Sequence, residues 1–241
     1  MSTAPIIIAL TGLAGAGKDT VADTLVTHAG FTKMAFADAL RTEVAEAFGL
    51  GDRYGILSDR ATKEQPHNLL ALVRCVHSAD GIDFVRQLGA EAASLGDPDP
   101  DYTAWMLAPH SPRQILQCWG TEYRRAQDPD YWTKQARERI EQLMIEGERQ
   151  GYTRIVITDC RFDNEAATVR ALGGTLWQVV RPGLQSVEGG HASQTDGARL
   201  QPDVTLLNGS TVVGLMHTAL RALQAEHGGA VLPDDLFGQA A

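Results

Sequence analysis

The stretch GLAGAGKDT, from Gly12 to Thr20, decides the fold of this 241-residue chain. It follows the apolar, β-branched run Pro5 to Thr11 (PIIIALT), which is typical of a strand buried on both faces of a parallel sheet. Lys18 to His28 then has helical spacing. A strand, a glycine-rich turn, a lysine and a helix in this order predict a loop that binds nucleotide phosphates through its backbone N–H groups.

The glycines allow the loop to turn its N–H groups inward, and the lysine would bridge the terminal phosphates. A dinucleotide fingerprint is disfavoured, because Thr20 stands where that motif needs its third glycine. The alternative is a tight structural turn with a solvated lysine. The residues predicted to bind a mononucleotide cofactor are Gly15, Ala16, Gly17, Lys18, Asp19 and Thr20.

The loop departs from the common pattern at Asp19, because Ser or Thr usually follows the lysine and binds Mg²⁺. One interpretation is an acid in the first helical turn, which stabilises the helix dipole by about 0.3 to 1 kcal/mol. The other is an oxygen ligand of Mg²⁺, direct or through water, with the Thr20 hydroxyl on a phosphate. Asp19 and Thr20 are therefore the candidate metal residues.

Composition predicts a soluble globular protein, with 44% hydrophobic residues for its core. The longest apolar run near the start, Ile6 to Leu10, is too short to span a bilayer, so we expect a cytoplasmic protein without a membrane partner. A formal charge of -9 argues against binding a nucleic-acid polymer. Three well-separated cysteines suggest neither a disulfide framework nor a zinc cluster, and a homodimer is left open.

Hydrophobic runs predict five strands separated by helices, and hence an α/β, doubly wound parallel sheet. The predicted strands lie near 5–11, 33–36, 154–158, 175–180 and 203–207. The interpretation is a single domain, 1–227, with a helical insertion at about 49–112, a candidate lid at 182–201 and a tail at 228–241.

Helices are predicted within this frame at 37–48, 68–78, 82–95, 113–126, 131–150 and 164–172. The acidic, proline-containing stretch 96–112 is predicted to be an exposed loop. A last helix would place Val212 on one apolar face with Leu215, Met216, Ala219, Leu220 and Leu223.

Further segments resemble the phage-type deoxynucleoside monophosphate kinases, in that family's order. They are GKDTVAD (17–23), FADALR (36–41), KEQP (63–66), SPRQILQCWGTEYRR (111–125), DPDYW (128–132), ITDCRFDNEA (157–166) and VVRPG (179–183). The resemblance implies a P-loop, nucleoside-monophosphate-kinase-like three-layer fold with helical insertions. It also implies transfer of the γ-phosphoryl of ATP, with Mg²⁺, to a deoxynucleoside 5'-monophosphate, in the host cytoplasm if the protein is viral.

The same resemblance implies acceptor-site residues in the middle of the chain. Arg41 looks like a ligand of the acceptor phosphate, with a solvated surface arginine as the alternative. Trp132 is available for stacking or as core. Arg125 matches the arginine of the family's GTE-containing motif, whereas Arg124 stands where a small residue is expected. The residues expected to line the acceptor site from these segments are Arg113, Gly120, Thr121 and Trp132.

Asp159 ends a predicted strand, where open α/β sheets place ligand-binding groups. It resembles an acid that holds magnesium water or contacts the attacking group, with Arg161 on phosphate and Glu165 on the base or the arginine. The alternative is a structural ion-pair set. Lys63 is a weaker phosphate candidate. The predicted catalytic residues are Lys18, Arg125, Asp159 and Arg161.

Arg181 to Gln194 resembles the family's mobile phosphate-side loop, but Gln194 replaces its acid. Two other functions stay open at this point. One is another small-molecule P-loop kinase, such as a dephospho-coenzyme A or phosphomevalonate kinase. The other is a regulator that binds ATP without transferring phosphate, although such a sensor has little need for several arginines in an acceptor site.

Overall fold

The computed structural model describes residues 4–59, 61–94, 100–150, 153–184 and 200–228. The chain divides into two compact units. The sheet unit consists of Met1–Phe36 and Thr133–Ala241, and the helical unit of Ala37–Trp132.

In its described residues, the sheet unit contains five strands, all of them parallel. They are β1 (Ile6–Thr11), β2 (Thr32–Met34), β3 (Arg154–Ile157), β4 (Thr175–Val180) and β5 (Val204–Leu207). Their order in the sheet is β2-β3-β1-β4-β5, so the strand that precedes the glycine loop is central. In register, Ile7 pairs with Ile155 on one side of β1, and Leu10 pairs with Trp177 on the other.

Helices cover both faces of this sheet because β1 alternates its buried side chains between them. Ile8 and Leu10 pack in the same core cluster as Leu25 of α1 (Lys18–Ala29) and Leu220 of α8 (Val212–His227). On the opposite face, Ile7 belongs to the cluster formed with α6 (Tyr131–Gln150) and α7 (Asp163–Ala171). The predicted α/β class, a five-stranded parallel sheet in three layers, is confirmed.

The helical unit has its own core, which includes Phe48, Leu70, Phe84, Trp119 and Trp132. Its helices are α2 (Ala37–Ala47), α3 (Ala79–Ser94), α4 (Pro100–Leu107) and α5 (Pro112–Gln117). The last of these continues into a π-helical segment, Cys118–Arg125. Short 3-10 turns occupy Gly51–Leu57, Asn68–Leu70 and Leu72–Arg74.

The helix predicted at 68–78 is wrong. Ala71 is extended, with φ -62° and ψ 132°, and it separates two 3-10 turns. Leu70 and Leu72 are both buried as a result, at 0% and 1% exposure. Because a regular helix turns residues i and i+2 toward different faces, core packing overrides the helical pattern at this point.

The stretch 96–112, predicted to be a loop, contains helix α4 from Pro100 to Leu107. Proline is accepted in the first turn of a helix, where its missing N–H has no intrahelical partner in any case. The apolar face predicted for the last helix is also wrong at one position, because Val212 is 64% exposed at the start of α8.

Most of the predicted lid, 185–199 of 182–201, and residues 229–241 of the tail lie outside the described residues. Within the described residues, no helix combines the length and the hydropathy that crossing a bilayer requires.

Candidate active site

The loop between β1 and α1 contains three glycines, which differ in how closely the protein packs around them. Gly12, Gly15 and Gly17 all have left-handed backbone, with φ of 128°, 80° and 110°. A Cβ on Gly12 would collide with the carbonyl oxygen of Val179. A Cβ at Gly15, in contrast, would meet no atom within 4 Å. The loop is therefore fixed on the side of the sheet and open at Gly15, as a phosphate cradle requires.

The Lys18 ammonium lies over this loop. Its Nζ donates hydrogen bonds to the carbonyl oxygens of Gly12, at 2.7 Å, and Leu13, at 2.9 Å. Lys18 is also the first residue of α1, whose preceding residue, Gly17, has no side chain to cap the helix. A cation and a helix N-terminus therefore meet at one loop, and both favour an anion.

Asn208, which follows the last strand of the sheet unit, supports the loop. The Asn208 side-chain amide donates a 2.8 Å hydrogen bond to the carbonyl oxygen of Ala16. A Cβ on Gly17 would stand only 2.8 Å from both the Asn208 amide nitrogen and a methyl carbon of Leu215. Sequence analysis missed Asn208, because nothing in its own segment marks it as a partner of the loop.

The loop offers what nucleotide phosphates require, a cation and a helix N-terminus, and Mg²⁺ is compatible with its donors. Asp19 and Thr20 lie in the first turn of α1, both partly buried. Among the described residues, no group of three or more His, Cys, Asp or Glu side chains could hold a metal. Mg²⁺ commonly uses one or two carboxylates together with water and substrate phosphates, so it needs no larger cluster. Direct or water-mediated binding at Asp19 stays a prediction.

Asp159 follows β3, beside the central strand that leads into the loop. One of its carboxylate oxygens accepts a 2.7 Å hydrogen bond from the backbone N–H of Phe36, after β2. The next residue, Cys160, donates its N–H to the carbonyl of Leu10 in β1. Asp159 thus joins strand ends at the carboxyl edge of the sheet, the edge that open α/β sheets use for ligands. Its catalytic role stays a prediction.

Cys160 is a core residue of the sheet unit. Burial, and then the negative charges of Glu165 and Asp159, raise the pKa of its thiol. The side chain is 1% exposed and packs in the core on one face of the sheet.

Backbone N–H groups hold the carboxylate of Glu165 in place. Its Oε2 accepts hydrogen bonds from the N–H groups of Arg161, at 2.8 Å, and Phe162, at 3.2 Å, at the start of α7. The carboxylate is 3% exposed, so it caps the helix from within the protein. Arg161 has an exposed side chain. The structure therefore brings Asp159, Arg161 and Glu165 into one turn, in which Glu165 serves the backbone.

In the helical unit, the described residues leave one nitrogen of Arg41 without a hydrogen-bond partner. One terminal nitrogen donates to Asp38 at 2.8 Å, one turn earlier on α2. Its Nε is buried and, within the described part of the chain, has no hydrogen-bond partner. An unpaired buried donor costs about 1 to 3 kcal/mol, which a ligand oxygen would recover. This feature favours the predicted phosphate role over a solvated arginine.

Lys63 and Arg113 are brought together. The Arg113 backbone N–H donates to the Lys63 carbonyl at 3.0 Å, and the Arg113 side chain forms an ion pair with Glu64. A single antiparallel bridge between His67 and His110 joins the same two segments. The two segments that carry these cationic candidates, 50 positions apart in the numbering, are thus adjacent in the helical unit.

Gly120 and Trp132 contact each other in the core of the helical unit. The Trp132 indole N–H donates to the Gly120 carbonyl at 2.9 Å, and the ring is 3% exposed. A Cβ on Gly120 would lie 3.0 Å from a Leu40 methyl. Of the two interpretations of Trp132, core packing describes its position here. Thr121 and Arg125, both partly exposed, lie on the same π-helical segment.

Sequence reasoning gave Arg124 no role, yet it is the centre of a buried network. It is 8% exposed and forms ion pairs with Glu43, at 3.0 Å, and Asp80, at 2.7 Å. Burial alone would lower the pKa of its guanidinium, but hydrogen bonds and charges from Asp80 and Glu43 raise it. The sequence did contain one signal for this network. Trp119 and Tyr123 are four positions apart, about one helical turn, and both come shortly before Arg124, whose guanidinium can pack on aromatic rings.

Residues 185–194 of the segment that resembles the family's mobile loop, Gln194 among them, lie outside the described residues, so that interpretation stays a prediction.

Comparison with known proteins gives one relative along most of the chain. No family model matches the sequence. A protein of Acanthamoeba polyphaga mimivirus, named "Putative deoxynucleotide monophosphate kinase", is 27% identical over 216 residues, which cover 86% of this chain and 90% of the relative. A solved structure, a dephospho-CoA kinase from Campylobacter jejuni, aligns with 92% of this chain and 98% of its own, at 12% identity and a TM-score of 0.42. The assignment of the fold rests on the five-stranded parallel sheet and not on this alignment. The resemblance of this chain to the deoxynucleoside monophosphate kinases, inferred from its ordered motifs, is confirmed by the mimivirus relative.

Proposed function

We propose that this chain is an ATP-dependent kinase that converts deoxynucleoside 5'-monophosphates to diphosphates. The observation that carries the proposal is the Lys18 ammonium, held 2.7 and 2.9 Å from two carbonyl oxygens of a glycine loop at the end of the central strand. The substrate class is proposed from the name of the mimivirus relative, with which the chain shares most of its length.

Phosphoryl transfer demands positioning and charge neutralisation more than covalent chemistry from the protein. An oxygen of the acceptor's phosphate forms the new bond to the γ-phosphorus of ATP as the bond to the bridging oxygen breaks, so no side-chain nucleophile is needed. Lys18 and the loop N–H groups would hold the terminal phosphates and stabilise the charge on the leaving ADP. Bound Mg²⁺ would supply further charge neutralisation, with Asp19 and Thr20 proposed to hold it directly or through water.

The acceptor is proposed to bind through cations of the helical unit. Arg41 offers its unsatisfied Nε, and Asp38 holds its guanidinium in place. Lys63 and Arg113 add positive charge from two segments that are hydrogen-bonded to each other. Arg125 is proposed to act on the transferred group. From the sheet unit, Asp159 is proposed to contact the attacking group or magnesium water, with Arg161 on a phosphate. Transfer between two anions requires cations that are held in fixed positions.

One coupled assay tests the proposal. ATP is offered with dGMP, dTMP, dCMP, dAMP, dephospho-coenzyme A and phosphomevalonate in turn, and ADP release is measured. We expect turnover with one or more deoxynucleoside monophosphates. Turnover with only the last two compounds would instead assign the chain to another class of small-molecule kinase, and ATP binding without any turnover would indicate a sensor.

The same assay on Lys18→Ala tests the role of the loop. We expect loss of at least about a hundredfold in kcat/KM, because the cation on the terminal phosphates disappears from a site preorganised around it. Full activity in this variant would overturn the mechanism even if the substrate class is right.

A further inference from the structure

The carboxylate of Glu43, on α2, is a meeting point for three hydrogen-bond donors. Its Oε2 accepts from the Trp119 indole N–H and from the Arg124 Nε, each at 3.0 Å. Its Oε1 accepts from the Tyr131 hydroxyl. The Glu43 side chain is 18% exposed and that of Arg124 is 9% exposed, so the pair is shielded from water.

Arg124 continues the network in two further directions. A terminal nitrogen forms a 2.7 Å ion pair with Asp80, at the start of α3. Its guanidinium carbon lies 4.7 Å from the ring centre of Tyr131, 5.0 Å from that of Tyr123 and 5.9 Å from that of Trp119. The guanidinium is thus fixed by two carboxylates and by aromatic rings, which leaves it little freedom of orientation.

The elements that this network joins carry several of the acceptor candidates of the helical unit. Glu43 stands two residues after Arg41 on α2. Arg124 lies in the π-helical segment that also contains Gly120, Thr121 and Arg125. Tyr131 immediately precedes Trp132. One buried ion pair and its hydrogen bonds therefore set the placement of α2, which carries Arg41, relative to the π-helical segment, which carries Arg125, and to the start of α6.

The backbone of the π-helical segment needs such support. Hydrogen bonds from i to i+5 are rare, and they occur mostly as single turns that are frequently found at functional sites. This segment runs for eight residues, Cys118–Arg125. A buried ion pair is weak evidence for a gain in stability, because desolvation offsets its attraction, but it does specify one arrangement of the groups around it.

We propose that Glu43 and Arg124 are positioning residues for the monophosphate acceptor, an inference that rests on the proposed function. Neither is assigned contact with the substrate. They hold α2, the π-helical segment and the start of α6 in one arrangement, and with it Arg41 and Arg125. The role is this chain's own, since Arg124 occupies a position where the family resemblance leads one to expect a small residue.

The test separates the two substrates by their KM values. The variants are Arg124→Lys, which keeps the charge but loses the planar fork, and Tyr131→Phe, which removes a single hydroxyl from Glu43. We expect the KM of the deoxynucleoside monophosphate to rise about tenfold, with the KM of ATP within about twofold of wild type, because only the acceptor's groups are misplaced. Tyr131→Phe keeps the test open should Arg124→Lys fail to fold.

Arg137→Met is the matched control. It removes an exposed ion pair with Glu141 on α6, in which both side chains are about half exposed. Both KM values should match those of the wild type, because an exposed pair of this kind contributes little. Thermal unfolding of each variant reports whether the fold is retained.

A double variant adds a readout that general destabilisation would not give. If Glu43 and Arg124 act as one unit, the KM increases of Glu43→Gln and Arg124→Met will not multiply in the double variant. Wild-type KM values in the folded variants, or parallel increases for both substrates, would overturn the positioning role alone. A wild-type chain with no turnover of any monophosphate would overturn the proposed function, and the positioning role with it.

Discussion

The side-chain amide of Asn208 donates a 2.8 Å hydrogen bond to the carbonyl oxygen of Ala16, across 192 positions of sequence. Asn208 directly follows β5, and its own backbone N–H donates to the Val180 carbonyl at 2.7 Å. The residue after an edge strand therefore supports the glycine loop after the central strand. The shape of the loop depends on a contact that its own sequence does not contain.

Replacing this amide should weaken nucleotide binding. In Asn208→Ala the Ala16 carbonyl loses its donor, which costs about 0.5 to 1.5 kcal/mol of the free energy of unfolding. We expect the KM of ATP to rise about five- to tenfold, a change that corresponds to about 1 to 1.4 kcal/mol. Steady-state kinetics and urea denaturation measure the two effects. An unchanged KM with the expected loss of stability would show that the hydrogen bond serves the fold only.

Gly17→Ala should abolish nucleotide binding through its Cβ. At φ 110° an alanine is strained, and its Cβ would lie 2.8 Å from both the Asn208 amide and a Leu215 methyl carbon. Gly173→Ala is the control, because Gly173 is also left-handed, at φ 79°, but its Cβ would meet no atom within 4 Å. We expect the control to lose about 1 kcal/mol of stability from backbone strain and to keep its ATP affinity. Equal ATP affinities in the two variants would contradict the close packing at Gly17.

The place of Trp132 can be tested by Trp132→Phe. Core packing predicts a loss of about 1 to 3 kcal/mol in the free energy of unfolding, because the Gly120 carbonyl is left without its donor. Trp177→Phe is a matched control in the sheet unit, since its indole N–H also donates, to Glu226 at 2.8 Å. If Trp132 instead stacks on the substrate base, Trp132→Phe will strongly raise the KM of the monophosphate while losing little stability. Trp177→Phe will not raise this KM.

Stability should fall in alkaline solution, partly through Tyr123. Burial and then the hydrogen bond to Asp83 raise the pKa of its hydroxyl from 10.0 to about 12. Between these values the unfolded chain loses the phenolic proton while the folded chain keeps it. The free energy of unfolding therefore falls as pH rises from about 10 to 12, by at most about 1.4 kcal/mol per pH unit from this group.

Denaturation of wild type and Tyr123→Phe at pH 8, 10 and 11 would measure this contribution. We expect the difference in stability between the two proteins to narrow as pH rises through this window. A difference that stays constant with pH would mean that Tyr123 titrates in the folded protein as it does in the unfolded chain.

The sequence predicted what local patterns encode. β1, the glycine loop and α1 were predicted almost to the residue, because a buried strand, φ-positive glycines and a helical period lie within 25 positions of one another. The 3-10 turns around Ala71 escaped prediction because the burial of both Leu70 and Leu72 is imposed by the surrounding core. Local sequence patterns therefore predict most helices and strands, whereas the departures from them depend on packing in the folded protein.

Only part of the candidate site could be predicted, for the same reason. Candidate cations such as Lys18 and Arg41 could be named from motifs, whereas their supports could not. Glu43 and Arg124 meet across 81 positions, and Asn208 reaches the loop from near the other end of the chain. No spacing rule links such partners, because they are neighbours only in the folded protein.

The first turn of α1 provides the sharpest test of a metal role, because two aspartates on this helix differ in position. Asp19 follows Lys18 at the loop, whereas Asp23 lies one turn later and forms an exposed ion pair with Lys33 at 2.7 Å. If the Asp19 carboxylate helps to hold Mg²⁺, Asp19→Ala should raise the Mg²⁺ concentration needed for half-maximal rate by about tenfold, while monophosphate KM stays near wild type. Asp23→Ala should leave the Mg²⁺ requirement unchanged. If Asp19 is only a residue of the helix start, its variant will lose about 0.3 to 1 kcal/mol of stability and show the same Mg²⁺ dependence as Asp23→Ala.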